Sequence, residues 1–513
     1  MTAHPRPAPT DLALLALVAL AVMLPNLLWG PSASHSDTLN HTWTLQFAEA
    51  LGRGELYPRW LPDAFEGLGS PTFFFYPPLS FYPSGLLDLA GVPTSAAISI
   101  GLALWTLASG LTMWLWLRAL GGWALLGAAL YMLAPYHLTD AYIRGGLAEH
   151  AAFAWLPLLA LGIHRLPERQ GLVLLAVAYA GLIMTHLPVA LMATVFLLLP
   201  LAVRRVLQDR ATLLPGLAGG LLGLGLAAVY LLPALTLQGH VSMDLLWGDY
   251  YRPESWFLLN GPEINGFYVT MLLAGLAALA LAAAAALRRG EARFWAALAA
   301  VAVAAAFGLI PFIWSIPPLP KVQFPWRLLC LAEFAAVTAL AVARPGRIPL
   351  GLAGAALLLA NAPVALQAAS RLARAAERTD YVEGLARTMP EAPEYLARGI
   401  PVTTEDDVTF AADLSAYRDL HAGDTVTVAE PGPVTLRRAA FPIWRVLDED
   451  GREVPTQGPL LTFEAEPGTY RIVRVVLWQE RAGAFASLAA ALILAGAALR
   501  RRSPAHRPGS RPV

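Results

Sequence analysis

Residues 171–203 read GLVLLAVAYAGLIMTHLPVALMATVFLLLPLAV. A helix crosses the roughly 30 Å hydrocarbon core in about 20 apolar residues, so this run is too long for one untilted span and short for two. Thr185-His186-Leu187-Pro188 interrupts it in the middle. Charge decides the reading. Arg165 and Arg169 precede the run, and Arg204, Arg205 and Arg210 follow it. Arginines collect on the cytoplasmic side, so the chain is expected to cross twice and turn at His186 on the outer face.

Working outward, apolar windows bounded by charge or Pro/Gly clusters lie at 12–30, 95–117, 121–137, 149–164, 171–186, 188–203, 211–238, 267–287, 294–316, 326–343, 348–366 and 482–499. The expected fold is an α-helical polytopic membrane protein of about 12 spans. Arg118, Arg288, Arg289, Arg293, Arg344, Arg347 and Arg500 to Arg502 place the inner loops and both termini in the cytoplasm. The first window is read as a retained anchor, because its apolar run is long and only Arg6 precedes it. Segments 31–94, 239–266 and 367–481 are then outside, which divides the chain into a membrane domain (1–366), an outer domain (367–481) and a last span with a cytoplasmic tail (482–513).

Composition agrees. Apolar residues make up 57% and charged residues 14%, against about 45–50% and 25% in soluble domains. An ordinary cytosolic enzyme, a disordered chain and a nucleic-acid binder are excluded. The 36 basic and 36 acidic residues cancel, leaving no global field. Cys330 is the only cysteine, so neither an intrachain disulfide nor a cysteine metal cluster forms. Lys321 is the only lysine.

Charged groups at a membrane face are costly unless paired or hydrated, which makes each a site candidate. Asp37 stands in His35-Ser-Asp37-Thr-Leu-Asn40-His41, within two turns of the first span's outer end. A carboxylate there can take a proton from an acceptor hydroxyl that attacks a carbon bearing a lipid-phosphate leaving group; a solvated loop acid is the plain alternative. His35 and His41 lack metal-ligand spacing, so no cofactor is expected and a divalent metal is not favoured. Arg59 adds a cation to the same loop. Arg144 and Glu149 are about one turn apart, close enough to pair. His186 either caps the helix break or donates to a phosphate or sugar. Lys321, Gln323 and Arg327 project from the proline-rich hinge 316–327, where a phosphate would gain charge-assisted hydrogen bonds; snorkelling span ends are the alternative.

Segment 367–481 opens with an Arg/Glu-rich helical stretch, Ser370 to Arg398. It then alternates in short runs, Asp424 to Ala429, Val434 to Arg438, Leu460 to Glu464 and Tyr470 to Val476, parted by Pro431-Gly432, Asp450-Gly451 and Pro467-Gly468. This pattern predicts a small antiparallel β-sandwich with Trp444 in its core.

Several stretches carry a family resemblance: Gly54-Glu-Leu-Tyr-Pro-Arg-Trp60, Gly67-Leu-Gly-Ser-Pro71 through Pro78, Arg144 to Glu149, Thr185-His186, Gln323-Phe-Pro-Trp-Arg327, Thr388-Met-Pro-Glu391, and Phe441-Pro-Ile-Trp444 before Asp450-Gly451. With these in order, the chain resembles bacterial "6-pyruvoyl-tetrahydropterin synthase-related" membrane proteins, close to the YfhO-like membrane proteins. No zinc-binding histidine set accompanies the pterin label, so no pterin chemistry is expected. The resemblance implies the C-type glycosyltransferase (GT-C) architecture in a bacterial cytoplasmic membrane, with sugars drawn from polyprenyl-phosphate donors. It implies Asp37 as acid or base and Arg144, Lys321 and Arg327 as phosphate ligands. Glu149, His186, Gln323 and Arg59 complete the candidate substrate contacts. Expected partners are membrane lipid, a polyprenyl-phosphate-linked sugar and a glycan, lipid or protein acceptor in the envelope, with no nucleic acid. Two other functions stay open: a lipid-linked glycan flippase or transporter, and a non-catalytic envelope glycan-assembly protein.

Overall fold

The computed structural model describes residues 9–259, 265–286, 288, 290–385, 392–405, 408–411 and 414–499. Eight helical stretches among them are long and apolar enough to cross a membrane: Pro9–Trp29, Thr94–Ala119, Leu147–His164, Leu187–Gln208, Gly266–Ala286, Pro325–Ala343, Arg347–Ala375 and Trp478–Leu499. A ninth, Arg210–Leu226 with Ala228–Thr236, is bent by 67°.

The expected count of about twelve is therefore not established. Three windows fall short, each for a local reason. Window 121–137 is displaced and broken: helix Ala124–Met132 stops, Ala134 turns extended ahead of Pro135, and helix Pro135–Thr139 runs into a π-helical turn, Asp140–Arg144. A residue before proline is pushed out of the helical region, which places the break. Arg169–Thr185 and Glu291–Phe307 are regular but only 17 residues each. Glu291–Phe307 is alanine-rich and packs closely on Leu329–Ala343, where Trp295 meets Phe334 at 5.6 Å; Trp295 also meets Trp116 of Thr94–Ala119 at 5.4 Å.

The helix expected to end at 366 instead continues as one element, Arg347–Leu385, carrying Pro363 inside it. The proposed boundary between membrane and outer domain thus falls within a continuous helix. On the face where this helix emerges, the first loop folds as helix Asp37–Gly52 and several short turns around a buried aromatic cluster. Trp43, Phe47, Phe73 and Phe81 meet there at 5.0–6.5 Å in mostly tilted or edge-on contacts, the arrangement favoured by ring quadrupoles. The loop is thus a packed layer.

Eight strands follow among the described residues: β1 (Thr403–Glu405), β2 (Val408–Ala411), β3 (Thr425–Val428), β4 (Gly432–Ala439), β5 (Trp444–Leu447), β6 (Glu453–Val454), β7 (Leu460–Ala465) and β8 (Gly468–Arg474). They form antiparallel sheets in the orders β3-β8-β5-β6, β4-β7 and β1-β2. The first two share a core of Leu436, Val446, Leu461, Phe463, Ala465, Tyr470 and Ile472. Trp444 packs against the edge of that core and is not enclosed by it. It is half-buried at the seam with the first loop, its ring 5.3 Å from Trp60 and edge-on to it. Thr388 to Glu391 lie outside the described residues.

Candidate functional site

Asp37 opens helix Asp37–Gly52, and its Oδ1 accepts the amide of Thr38 at 2.8 Å. A carboxylate suits this position, because the first helical turn leaves amides unpaired. The preceding strand of chain is stitched to the end of the broken helix: His35 N–H donates to the Ile143 carbonyl at 3.3 Å and Ser36 N–H to that of Arg144 at 3.1 Å. Asn40 Nδ2 adds a bond to the Gly145 carbonyl at 2.8 Å. Gly145 has φ 64°, and a Cβ there would come within 2.0 Å of Ser34 Oγ, so only glycine permits this approach. Asp37 is thereby held beside Arg144. A third element joins from the long helix: Arg371 donates through Nη1 to the Ala33 carbonyl at 3.0 Å and lies in the field of Asp37.

Arg144 belongs to a buried ionic cluster. Arg144 Nη1 reaches Asp140 Oδ1 and Glu149 Oε2, both at 2.6 Å, and Tyr136 Oη at 3.1 Å. Tyr136 donates to Glu149 Oε1 at 2.5 Å. Arg327 Nε approaches the same Glu149 Oε2 at 3.3 Å, and its Nη1 donates to the Val322 carbonyl at 2.9 Å. Two arginines thus face two acids. Glu149 is 2% exposed while Arg144 and Arg327 retain 16% and 11%, so the arginines form the accessible edge. Glu333 sets the frame by accepting the amides of Tyr136 and His137 at 2.6 and 3.2 Å, a side-chain cap on the helix that starts at Pro135. His186 Nδ1 accepts the Val189 amide at 3.3 Å, so it caps the next helix in its neutral form and also lies near Glu149.

The loop layer closes over the cluster. Tyr76, 4.7 Å from Trp43, lies in the field of Arg327, Glu149, Arg144 and Glu394. Burial pushes its hydroxyl up to about 12. Glu394 lies on the short turn Pro393–Tyr395, which is anchored where Tyr395 stacks on Phe75 at 6.2 Å. Desolvation raises its half-buried carboxyl to about 7.

Of the residues singled out in the sequence, Asp37, Arg144, Glu149, His186 and Arg327 converge. The others do not. Lys321 is exposed, its Nζ 4.9 Å above the Trp247 ring in a surface pocket shared with Tyr251, Arg252 and Glu254. Gln323 is half-buried at φ 70° in the tight turn between them. Arg59 is a structural tie: it is 4% exposed, pairs with Glu480 at 3.2 Å, and donates to the Val229 carbonyl beside the bend at Ala227 at 2.7 Å. Sequence reasoning missed Tyr76, Tyr136, Asp140, Glu333, Arg371 and Glu394. Asp140 and Glu333 carried a readable signal, as acids inside apolar runs; Arg371 and Glu394 carried none. Among the described residues no three His, Cys, Asp or Glu side chains gather as metal donors.

A family model described as "6-pyruvoyl-tetrahydropterin synthase related domain; membrane protein" matches residues 73–359, a stretch that holds Arg144, Glu149, His186, Lys321 and Arg327. The chain belongs to this family of membrane proteins. Asp37 and the β-domain of this synthase-related membrane protein lie outside the matched stretch. No curated protein matches it. Solved structures of the arabinofuranosyltransferase AftD from mycobacteria are similar at 20% identity and TM-score 0.48, over 72% of this chain and 28% of that one. A second AftD structure gives 18% and 0.46, over 90% and 40%. The family member thus spans well under half the length of those chains.

Proposed function

We propose that the protein is a membrane glycosyltransferase that moves a sugar from a polyprenyl-phosphate donor to an acceptor hydroxyl on the outer face, with Asp37 as general base. The acceptor oxygen attacks the anomeric carbon, the bond from that carbon to the phosphate oxygen breaks, Asp37 takes the hydroxyl proton, and polyprenyl phosphate leaves. The observation that carries this reading is the main-chain junction of Ser36 with Arg144, which brings the start of the Asp37 helix against the end of the helical turn that carries Arg144.

Two further features support it. An apolar groove of about 740 Å³ runs between Val22–Trp29 of the first span, Leu133–Tyr142 and Asn361–Ala373 of the long helix, within the range of small-molecule sites. Arg371 lies within two residues of its Ala369 and Ala373 walls and faces the Asp37 segment. A lipid chain in the groove would bring its phosphate to Arg371 and the exposed edge of Arg144, where charge-assisted bonds stabilise the leaving group. Lys321, over Trp247, has no part in this arrangement.

One observation favours transport instead. His137 and His150 lie 4.4 Å apart inside the helices, beside Glu333 and the break at Ala134, and broken spans carrying polar groups are where transporters bind cargo. Lipid-linked sugar profiling in a deletion strain separates the two. Transferase function predicts accumulation of a lipid-linked monosaccharide, relieved by the wild-type gene and not by Asp37→Asn. Rescue by Asp37→Asn contradicts it.

A further inference from the structure

Three stretches noted in the sequence, Gly54 to Trp60, Gly67 to Pro71 and Phe441 to Trp444, have no role in the Asp37 site, yet they meet. They line one cleft of about 540 Å³ at the seam between the first loop and the β-domain. The seam is firmly built. Ala439 N–H donates to the Leu68 carbonyl at 2.7 Å, Arg437 bonds the Glu66 carbonyl, and Arg418 forks onto the Glu66 carboxylate at 2.7 and 2.9 Å. Its walls therefore keep their spacing.

We infer that this cleft binds a neutral saccharide, at a site separate from Asp37. Its charges balance, with Arg53, Arg438 and Arg474 against Glu55, Asp63 and Asp424, so it has no net attraction for phosphate or a cation. It offers instead what a sugar requires: apolar ring surface beside fixed donors and acceptors. Trp60 and Trp444 stand edge-on at 5.3 Å. Trp60 lies against Gly69, whose φ is 80° and where a Cβ would fall 2.4 Å from the indole, so its position is fixed. Arg438 lies over the Trp444 ring at 4.5 Å and pairs with Asp424 at 2.6 Å.

A second observation points to a polar ligand. Trp444 Nε1 and Arg438 Nη1 are buried with no hydrogen-bond partner in the protein. A buried donor left unmade is costly, and two sugar hydroxyls would satisfy both after a small shift of Arg438. Such a shift is cheap, because its partner Asp424 is 75% exposed and an exposed ion pair holds weakly.

The test is saturation-transfer NMR on the full-length protein in nanodiscs, with maltopentaose, cellopentaose and mannopentaose as probes and inorganic phosphate as the charged control. At least one pentasaccharide should bind and phosphate should not compete. Trp444→Phe, which keeps a ring and removes the indole N–H, and Arg438→Gln, which removes the guanidinium donor, should each weaken binding about tenfold while the thermal midpoint stays unchanged. Asp37→Asn should bind as wild type, which keeps this result independent of the transferase reading. Absence of binding by all three sugars, binding untouched by both cleft variants, competition by phosphate, or loss of binding in Asp37→Asn would each overturn the inference.

Discussion

The amide of Ser36 donates to the carbonyl of Arg144 at 3.1 Å, although the two residues are far apart in sequence. This bond and the one from Asn40 to Gly145 align the start of a helix with the end of a broken helix. Asp37 and Arg144 are thereby neighbours through the main chain, while the Arg144 guanidinium turns to Asp140 and Glu149.

Asn40→Ala removes a buried side-chain donor and leaves the Gly145 carbonyl to find another. Loss of one partner of a buried bond costs about 1–3 kcal/mol. The variant should therefore unfold at lower temperature than wild type and lose transfer activity through misplacement of Asp37. Unchanged stability with full activity would show that the junction does not position the acid.

The carboxylate of Glu149 is shared by Arg144 and Arg327, so Glu149→Gln strips a partner from two buried cations. Breaking such a pair costs about 3–5 kcal/mol, whereas removing both partners costs less. Glu149→Gln should reduce the folded yield sharply, and Glu149→Gln with Arg327→Met should recover part of it. Size-exclusion profiles and thermal unfolding of the single and double variants measure this; a double variant worse than the single would contradict the pairing.

Some of this was legible and some was not. Helix Gly266–Ala286 and most of helix Pro9–Trp29 fall in long uncharged runs, and hydropathy alone finds such runs. The third window was misplaced because a helix that breaks at Ala134, before Pro135, and then carries Asp140 and Arg144 inward no longer looks apolar. Its polar residues are tolerated only because Glu333, nearly two hundred residues later, caps the break. The Arg144–Glu149 pair is local and readable from spacing; Arg327 and Arg371 arrive by tertiary packing. The strand pattern points Trp444 to the sandwich core, against which it does pack, but not to Trp60, because the loop that shares it lies far away in sequence.

Glu394 gives a pH test. Its carboxyl is held at about 7 against an ordinary 4.5, chiefly by desolvation. Between these values the unfolded chain releases a proton that the folded protein keeps. The contribution to stability is therefore full below about pH 4.5 and lost as pH rises through 7. The neighbouring hydroxyls Tyr76 and Tyr251, both pushed up to about 12, do not titrate in this window. The melting temperature of wild type relative to Glu394→Gln should fall from pH 5 to pH 8; parallel curves would refute the buried-acid account.

Gly69 and Gly67 both have positive φ, 80° and 88°, but only Gly69 faces a ring within 2.4 Å of an added Cβ; at Gly67 the nearest atom is 3.7 Å away. Alanine at either position costs about 1–2 kcal/mol in backbone strain, and overpacking adds about 1–3 kcal/mol at Gly69 alone. Gly69→Ala should thus melt several degrees below Gly67→Ala. Equal melting temperatures would mean that Trp60 is not seated as described.

The central claim is that Asp37 takes the acceptor proton. It is tested most directly by single-turnover transfer from a radiolabelled polyprenyl-phosphate sugar with purified wild type and Asp37→Asn in nanodiscs, with donor binding and thermal unfolding measured on the same samples. Loss of a general base costs about 10²–10⁴ in rate. The account predicts a fall of that size in Asp37→Asn, with donor affinity and melting temperature close to wild type. Transfer at the wild-type rate by the folded variant would contradict it.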